Sequence, residues 1–197
     1  MIEILLSLVG AFFIGAVPFG YIIVKILRQK DIRGIGSGNI GATNVYRAAG
    51  AIPAIIVLLL DILKGTVAVI ICKMITPISL FWILAGLLVI SGHGFSPFLR
   101  FRGGKGVATS LGVVLAIFPK PLLFLLPIFI IIVLLTKYVS LGSILCGMLL
   151  PIFSLLFSQD IVLRVFSLFI ASFIFIKHIP NIKRLIQGKE NKLSFRF

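Results

Sequence analysis

Long apolar runs, separated by short polar segments, set the pattern of this chain. The runs cover residues 4–26, 51–72, 78–90, 107–118, 122–135, 141–157 and 161–176. None shows the alternation of a half-buried strand, and backbone groups in hydrocarbon must bond within their own segment, so each run predicts a helix. The expected fold is all-α: a polytopic integral membrane helical bundle with about seven transmembrane helices. The runs at 78–90 and 107–118 are short for the ~20 residues that a ~30 Å core requires. Their ends are therefore expected in the glycine-rich segment that joins them. Gly10, Gly15, Ala16 and Gly20 in the first run suit close helix contact, and Pro18 predicts a kink. Pro119 and Pro121 predict a tight turn.

Composition narrows the class. Of 197 residues, 60% are hydrophobic, which fits one membrane-embedded domain over 1–197 with no soluble module. Glu3 stands where a signal peptide would carry a cation, and no small-residue cleavage site precedes Lys25, so the first run reads as a span rather than a leader.

The net charge of +14 would suggest nucleic acid in a soluble protein. Its distribution says otherwise. Fifteen Lys and Arg, from Lys25 to Arg196, fall in segments on one side, against Lys73, Lys120 and Arg164 on the other. The positive-inside rule then puts the N-terminus outside and the C-terminus in the cytoplasm, with no nucleic-acid partner. Cys72 and Cys146 lie in different runs without metal-ligand spacing. Neither a disulfide, a metal nor a cofactor is expected.

Three polar clusters fall on the cytoplasmic side. The first, GIGSGNIGATNVYR (34–47), contains a G-x-G-x-x-G, but its flanks are membrane helices and not a βαβ unit, so it is no dinucleotide fingerprint. What remains is a glycine-rich loop with Ser37, Asn39, Thr43, Asn44 and Arg47, suited to hydroxyl and phosphate groups. The second, GHGFSPFLRFRGGKGVAT (92–109), sets His93, Arg100, Arg102 and Lys105 among glycines. Glycine amides and cations together describe an anion site, and a helix starting near Gly106 would add its positive end. Leu99 and Gly106 break the P-loop pattern, so a nucleoside triphosphate is not expected. The third, KHIPNIKRLIQGKE (177–190), places His178 and Asn181 three residues apart.

Each cluster alone could be an ordinary basic loop or, for His178, a helix cap. Asp61 and Lys64 share one helical face and should pair inside the protein, with Lys64 also able to lend charge to the anion site. Ser140, before Gly142 and Ser143, reads as a helix N-cap. Together the clusters describe a site for a phosphorylated substrate at the membrane boundary.

SGNIGATN (37–44), GHGFSPFLRFRGGKGVAT (92–109) and HIPNIKRLIQGKE (178–190) strongly resemble the three motifs of the bacterial acyl-phosphate:glycerol-3-phosphate acyltransferases. DILKG (61–65) and VSLGS (139–143) resemble that family's intervening signatures, and the likeness runs through essentially the whole chain. Arg102 stands where many relatives carry Lys, which keeps the charge.

The resemblance implies a multi-pass enzyme of the bacterial inner membrane. It would move a fatty acyl group from acyl phosphate to the sn-1 hydroxyl of glycerol 3-phosphate, among membrane lipid. It further implies His178, Asn181, Lys105 and Ser37 as catalytic residues. Asn39, Thr43, Asn44, Arg47, His93, Arg102, Gly103, Gly104, Gly106, Gly142 and Ser143 would bind substrate. An H-x-x-x-x-D pair is absent, because Phe98 follows His93 and Lys183 follows His178 at that spacing. The base is then His178 or the donor phosphate itself. A transporter of small phosphorylated anions is the competing reading, but the outer loops lack glycine-rich polar clusters. A basic scaffold for anionic lipid leaves the Gly/Asn/Thr loop unexplained.

Overall fold

The computed structural model describes residues 1–193; Arg196 of the basic tail lies outside the described residues. Ten α-helices and two short 3-10 turns account for the regular structure among them. The chain forms two compact units, Met1–Ile117 and the part from Phe118 onward.

The first unit begins with α1 (Ile2–Ala16) and α2 (Phe19–Arg28). Near Pro18, where the sequence predicts a kink, the helix is interrupted at residues 17 and 18, since proline offers no N–H to the preceding turn. α1 and α2 together still make one apolar stretch of 27 residues, Ile2–Arg28. Two carbonyls at the broken end find partners elsewhere. Ser96 Oγ donates to Ala16 O at 2.6 Å, and Lys64 Nζ donates to Val17 O at 3.0 Å.

The polar segment after α2 contains a helix that its low hydrophobicity concealed, α3 (Ala42–Ala49). Next come α4 (Ala51–Ile75), α5 (Ser79–Gly94) and α6 (Val107–Ile117). α5 outruns its apolar stretch by four residues and so carries His93 on a helix instead of a loop. Small residues bring these helices together. A β-carbon on Gly92 would overlap the Phe12 carbonyl of α1, and one on Gly112 would overlap the Ile62 carbonyl of α4. Thr66 Oγ1 donates to Gly112 O at 2.9 Å across the second contact.

The second unit holds α7 (Leu122–Thr136), α8 (Val139–Phe157), α9 (Ile161–Lys177) and α10 (Ile179–Ile186). α7 packs on α8, α8 on α9, and α10 turns off α9 by 56°. Among the described residues, four helical stretches are long and apolar enough to cross a membrane, five if α9 and α10 count as one bent span. α6 and α7 are shorter apolar helices. Both cysteines are free thiols.

Candidate active site

Around the first polar cluster, apolar plugs and one amide hold the loop. Ile32 and Ile40 are buried with Val24, Val45, Val57 and Leu99, so the first cluster and Leu99 of the second share one core. Asn44, 1% exposed, ties the loop together. Its Nδ2 donates to Asn39 O at 2.8 Å and Ile35 O at 2.9 Å and reaches Ile32 O at 3.3 Å, while its Oδ1 accepts from Ser37 N at 3.0 Å. Gly36 has φ +57°, and a β-carbon there would meet Asn44 Oδ1, so glycine is required twice over.

Asn39 Oδ1 accepts from Gly41 N at 2.9 Å, turning the chain into α3. Ser37 and Thr43 are half-buried. Arg47 joins Arg28 and Lys30 in lining an open groove of about 620 Å³. Asp31 and Arg33 pair at 2.6 Å on the surface, and the guanidinium holds the Asp31 carboxyl below its usual range.

The second cluster folds back on the end of α5. Ser96 to Arg102 make a tight turn in which Arg100 and Phe101 both take left-handed backbone angles, φ +53° and +61°. Gly104 N then donates to His93 O at 2.9 Å. A β-carbon on Gly103 would overlap the His93 carbonyl, and one on Gly104 would overlap the His93 ring. Gly106, at φ +78°, leads into α6. Lys105 thus stands two residues before the start of α6, whose first-turn N–H groups are backbone donors at the end of this loop. Arg102 is exposed and Lys105 half-buried.

His93 itself is buried, with Nδ1 2.9 Å from Lys64 Nζ. Lys64 and Asp61 form the expected i,i+3 pair at 2.7 Å, both side chains about 4% exposed or less.

In the second unit the residues of the third cluster converge on Glu190. Its Oε1 accepts from Asn181 Nδ2 at 2.6 Å and Ser140 Oγ at 2.9 Å, and its Oε2 accepts from Arg184 Nε at 2.7 Å. Burial opposes ionisation of this carboxyl, but the three donors outweigh it and hold it below the usual carboxylate range. Ser140 is thus not the helix N-cap expected of it; Tyr138 occupies that position, without a side-chain cap bond.

His178 ends α9 and starts α10, and its Nδ1 lies 2.8 Å from Ile174 O. A carbonyl only accepts, so Nδ1 carries the proton and Nε2 holds the lone pair in the neutral ring. Ser143 Oγ donates to Val139 O at 2.9 Å, and Gly142 lies against the Phe129 ring of α7. Glu190 is the member to which motif reading gives no role, whereas it already allows Lys64 a share in the anion site. The signal for Glu190 was faint: a lone acid in a basic tail, two residues after Gly188, which turns the chain back at φ +66°.

The description "Glycerol-3-phosphate acyltransferase" belongs to a family model that matches residues 5–188. The chain belongs to this family. It is 43% identical to the glycerol-3-phosphate acyltransferase of Desulforamulus reducens, over 98% of the chain and 96% of the relative. Against that of Fusobacterium nucleatum the identity is 45%, over 95% of the chain and 97% of the relative.

Its backbone is similar to the crystal structure of PlsY (YgiH), an integral membrane glycerol 3-phosphate acyltransferase, in the glycerol 3-phosphate form. The TM-score is 0.92 and the identity 35%, covering 97% of this chain and 96% of the other. The lysophosphatidic acid form gives a TM-score of 0.87 at 34% identity, covering 97% and 95%. The all-helical, multi-pass membrane fold and the acyltransferase class agree with the sequence expectation.

Proposed function

We propose that this chain transfers a fatty acyl group from acyl phosphate to the sn-1 hydroxyl of glycerol 3-phosphate. The products are lysophosphatidic acid and inorganic phosphate, made at the cytoplasmic face of a bacterial inner membrane, and residues 1–197 act as one acyltransferase domain. The observation that carries this reading is the loop at 103–106, pinned to His93 and opening into the N-terminus of α6 beside Lys105. Such a cradle suits a phosphate dianion.

Acyl phosphate is an activated donor, so approximation and charge neutralisation dominate the demand on the protein. Lys105 and the amides of Gly103 and Gly106 take a phosphate, with Arg102 adding charge; Gly104, whose N–H is spent on His93 O, shapes the loop. Ser37, Asn39, Thr43 and Arg47 hold the glycerol 3-phosphate or the donor phosphate, in a loop that Asn44 braces. Gly142 and Ser143 serve the second anion. The hydroxyl oxygen of glycerol 3-phosphate attacks the acyl carbonyl carbon, the bond from that carbon to the phosphate oxygen breaks, and phosphate leaves.

His178 and Asn181 orient the hydroxyl. With Nδ1–H committed to Ile174 O, Nε2 accepts the hydroxyl proton as a hydrogen bond. A neutral carbonyl behind the ring stabilises an imidazolium far less than a carboxylate would. The proton therefore passes to the departing phosphate oxygen.

The test is the purified protein in lipid, given glycerol 3-phosphate with acyl phosphate or acyl thioester while phosphate release is followed. Turnover is expected with acyl phosphate. Turnover with the thioester alone would overturn the donor.

A further inference from the structure

The ion pair inside α4 is a costly feature for a membrane-crossing helix. Removing two charges from water is costly, and apolar residues of similar size commonly pack as well or better. Asp61 and Lys64 are both buried, and nothing about packing α4 against α5 and α6 asks for charge. Their surroundings do. Lys64 Nζ is 2.7 Å from Asp61 Oδ1, 3.0 Å from Val17 O and 2.9 Å from His93 Nδ1. An ammonium has three protons and no lone pair, so Nδ1 of His93 must accept. That fixes the ring as the Nε2–H tautomer and sets its plane.

The ring thus oriented forms the floor of the glycine loop. Its Nε2, Cε1 and Cδ2 atoms are the nearest neighbours of the space a side chain on Gly104 would occupy, and its own carbonyl accepts from Gly104 N. Asp61 therefore holds Lys64, Lys64 holds the His93 ring, and the ring and carbonyl of His93 shape Gly103 and Gly104, one residue before Lys105.

We propose that Lys64 is a positioning residue: through His93 it sets the conformation in which the 103–106 loop binds phosphate, without touching the substrate. In this view His93, a candidate substrate ligand by motif, acts from beneath the loop. The inference rests on the reading of that loop as a phosphate site.

The test measures binding of radiolabelled inorganic phosphate to the full chain in detergent by equilibrium dialysis, which requires no turnover. Lys64→Met and Lys105→Ala are each expected to weaken phosphate about tenfold or more. The double variant should lie within about threefold of Lys105→Ala alone, because two residues acting through one loop are not additive. His93→Asn keeps an acceptor near the Nδ1 position and should retain most of the binding, whereas His93→Leu should lose as much as Lys64→Met.

If Lys64→Met does not elute as a monodisperse protein, Asp61→Asn with Lys64→Met leaves no unpaired charge and takes its place in the cycle. Multiplying losses, about a hundredfold in the double variant, would mean that Lys64 acts independently of the loop and would overturn the proposal. Equal binding by His93→Asn and His93→Leu would overturn it as well. Unchanged phosphate binding in Lys105→Ala would instead sink the phosphate-site reading, and this proposal with it.

Discussion

Asn44→Asp exchanges one amide nitrogen for an oxygen and changes almost nothing in shape. In the structure that nitrogen donates to two carbonyls, at 2.8 and 2.9 Å, and faces a third at 3.3 Å, in a side chain 1% exposed. The carboxylate would keep the bond from Ser37 N but aim an unprotonated oxygen at three carbonyl oxygens. Each lost bond is worth about 1 kcal/mol net, and a buried group left unsatisfied costs roughly 1–3 kcal/mol more. A total near 3 kcal/mol follows, about a hundredfold or more in the population of the open loop at 1.4 kcal/mol per tenfold.

Trypsin reads that population, because Lys30 and Arg33 lie in the segment that would open. The first cut at these residues should accelerate by about two orders of magnitude in the Asn44→Asp protein. Asn39→Asp makes the same chemical change in the same loop but keeps the oxygen that accepts from Gly41 N, so its cleavage should stay within about threefold of wild type. Unchanged cleavage in Asn44→Asp, together with a raised KM for glycerol 3-phosphate, would refute the reasoning and make Asn44 a substrate ligand.

Glu190 carries a pH prediction. Its carboxyl is held below the ordinary value of 4.5, so its contribution to stability is complete above about pH 4.5 and disappears as the pH falls through the lowered value. Thermal melting across that range should show the drop in wild type and a flatter profile in Glu190→Gln, which should also lose at least tenfold in turnover as Asn181 and Ser140 lose their charged acceptor. A profile that does not distinguish the two proteins would dismiss the network. Orientation is checked by membrane-impermeant thiol labelling in a background lacking Cys72 and Cys146: Ser158→Cys should react from outside and Ser37→Cys should not. The opposite pattern would invert the chain.

Helices were legible where apolar runs were long, and less so where side chains are small or polar. α4 was placed to within three residues at its end, whereas the last turn of α5 was missed because Gly92, His93 and Gly94 carry no hydrophobic signal. Their helical state depends on Gly92 meeting α1, a contact between residues eighty apart in the chain. α3 escaped for a related reason, since only Asn44 and Val45 of its eight residues are buried.

In the site, the residue types were visible and their jobs were not. Asn44 looks the same in a sequence whether it binds a ligand or its own main chain, because its partners at 32, 35 and 39 are carbonyls that every residue has. Asp61 and Lys64 could be paired from their spacing, but His93, 29 residues on, joins Lys64 only once α4 and α5 pack.

The double duty of His178 limits how the chain can vary in length. Its N–H closes the last turn of α9 on Ile174 O, and its carbonyl begins α10 by accepting from Asn181 and Ile182. One residue inserted into α9 would swing this position by about 100° and lift it about 1.5 Å. The imidazole would then be carried off its register, and Asn181 with it. Insertions can be absorbed only upstream, where 158–160 link α8 to α9 without helix. A thicker bilayer must therefore be met by changing the tilt of α9, because lengthening it would move the chemistry.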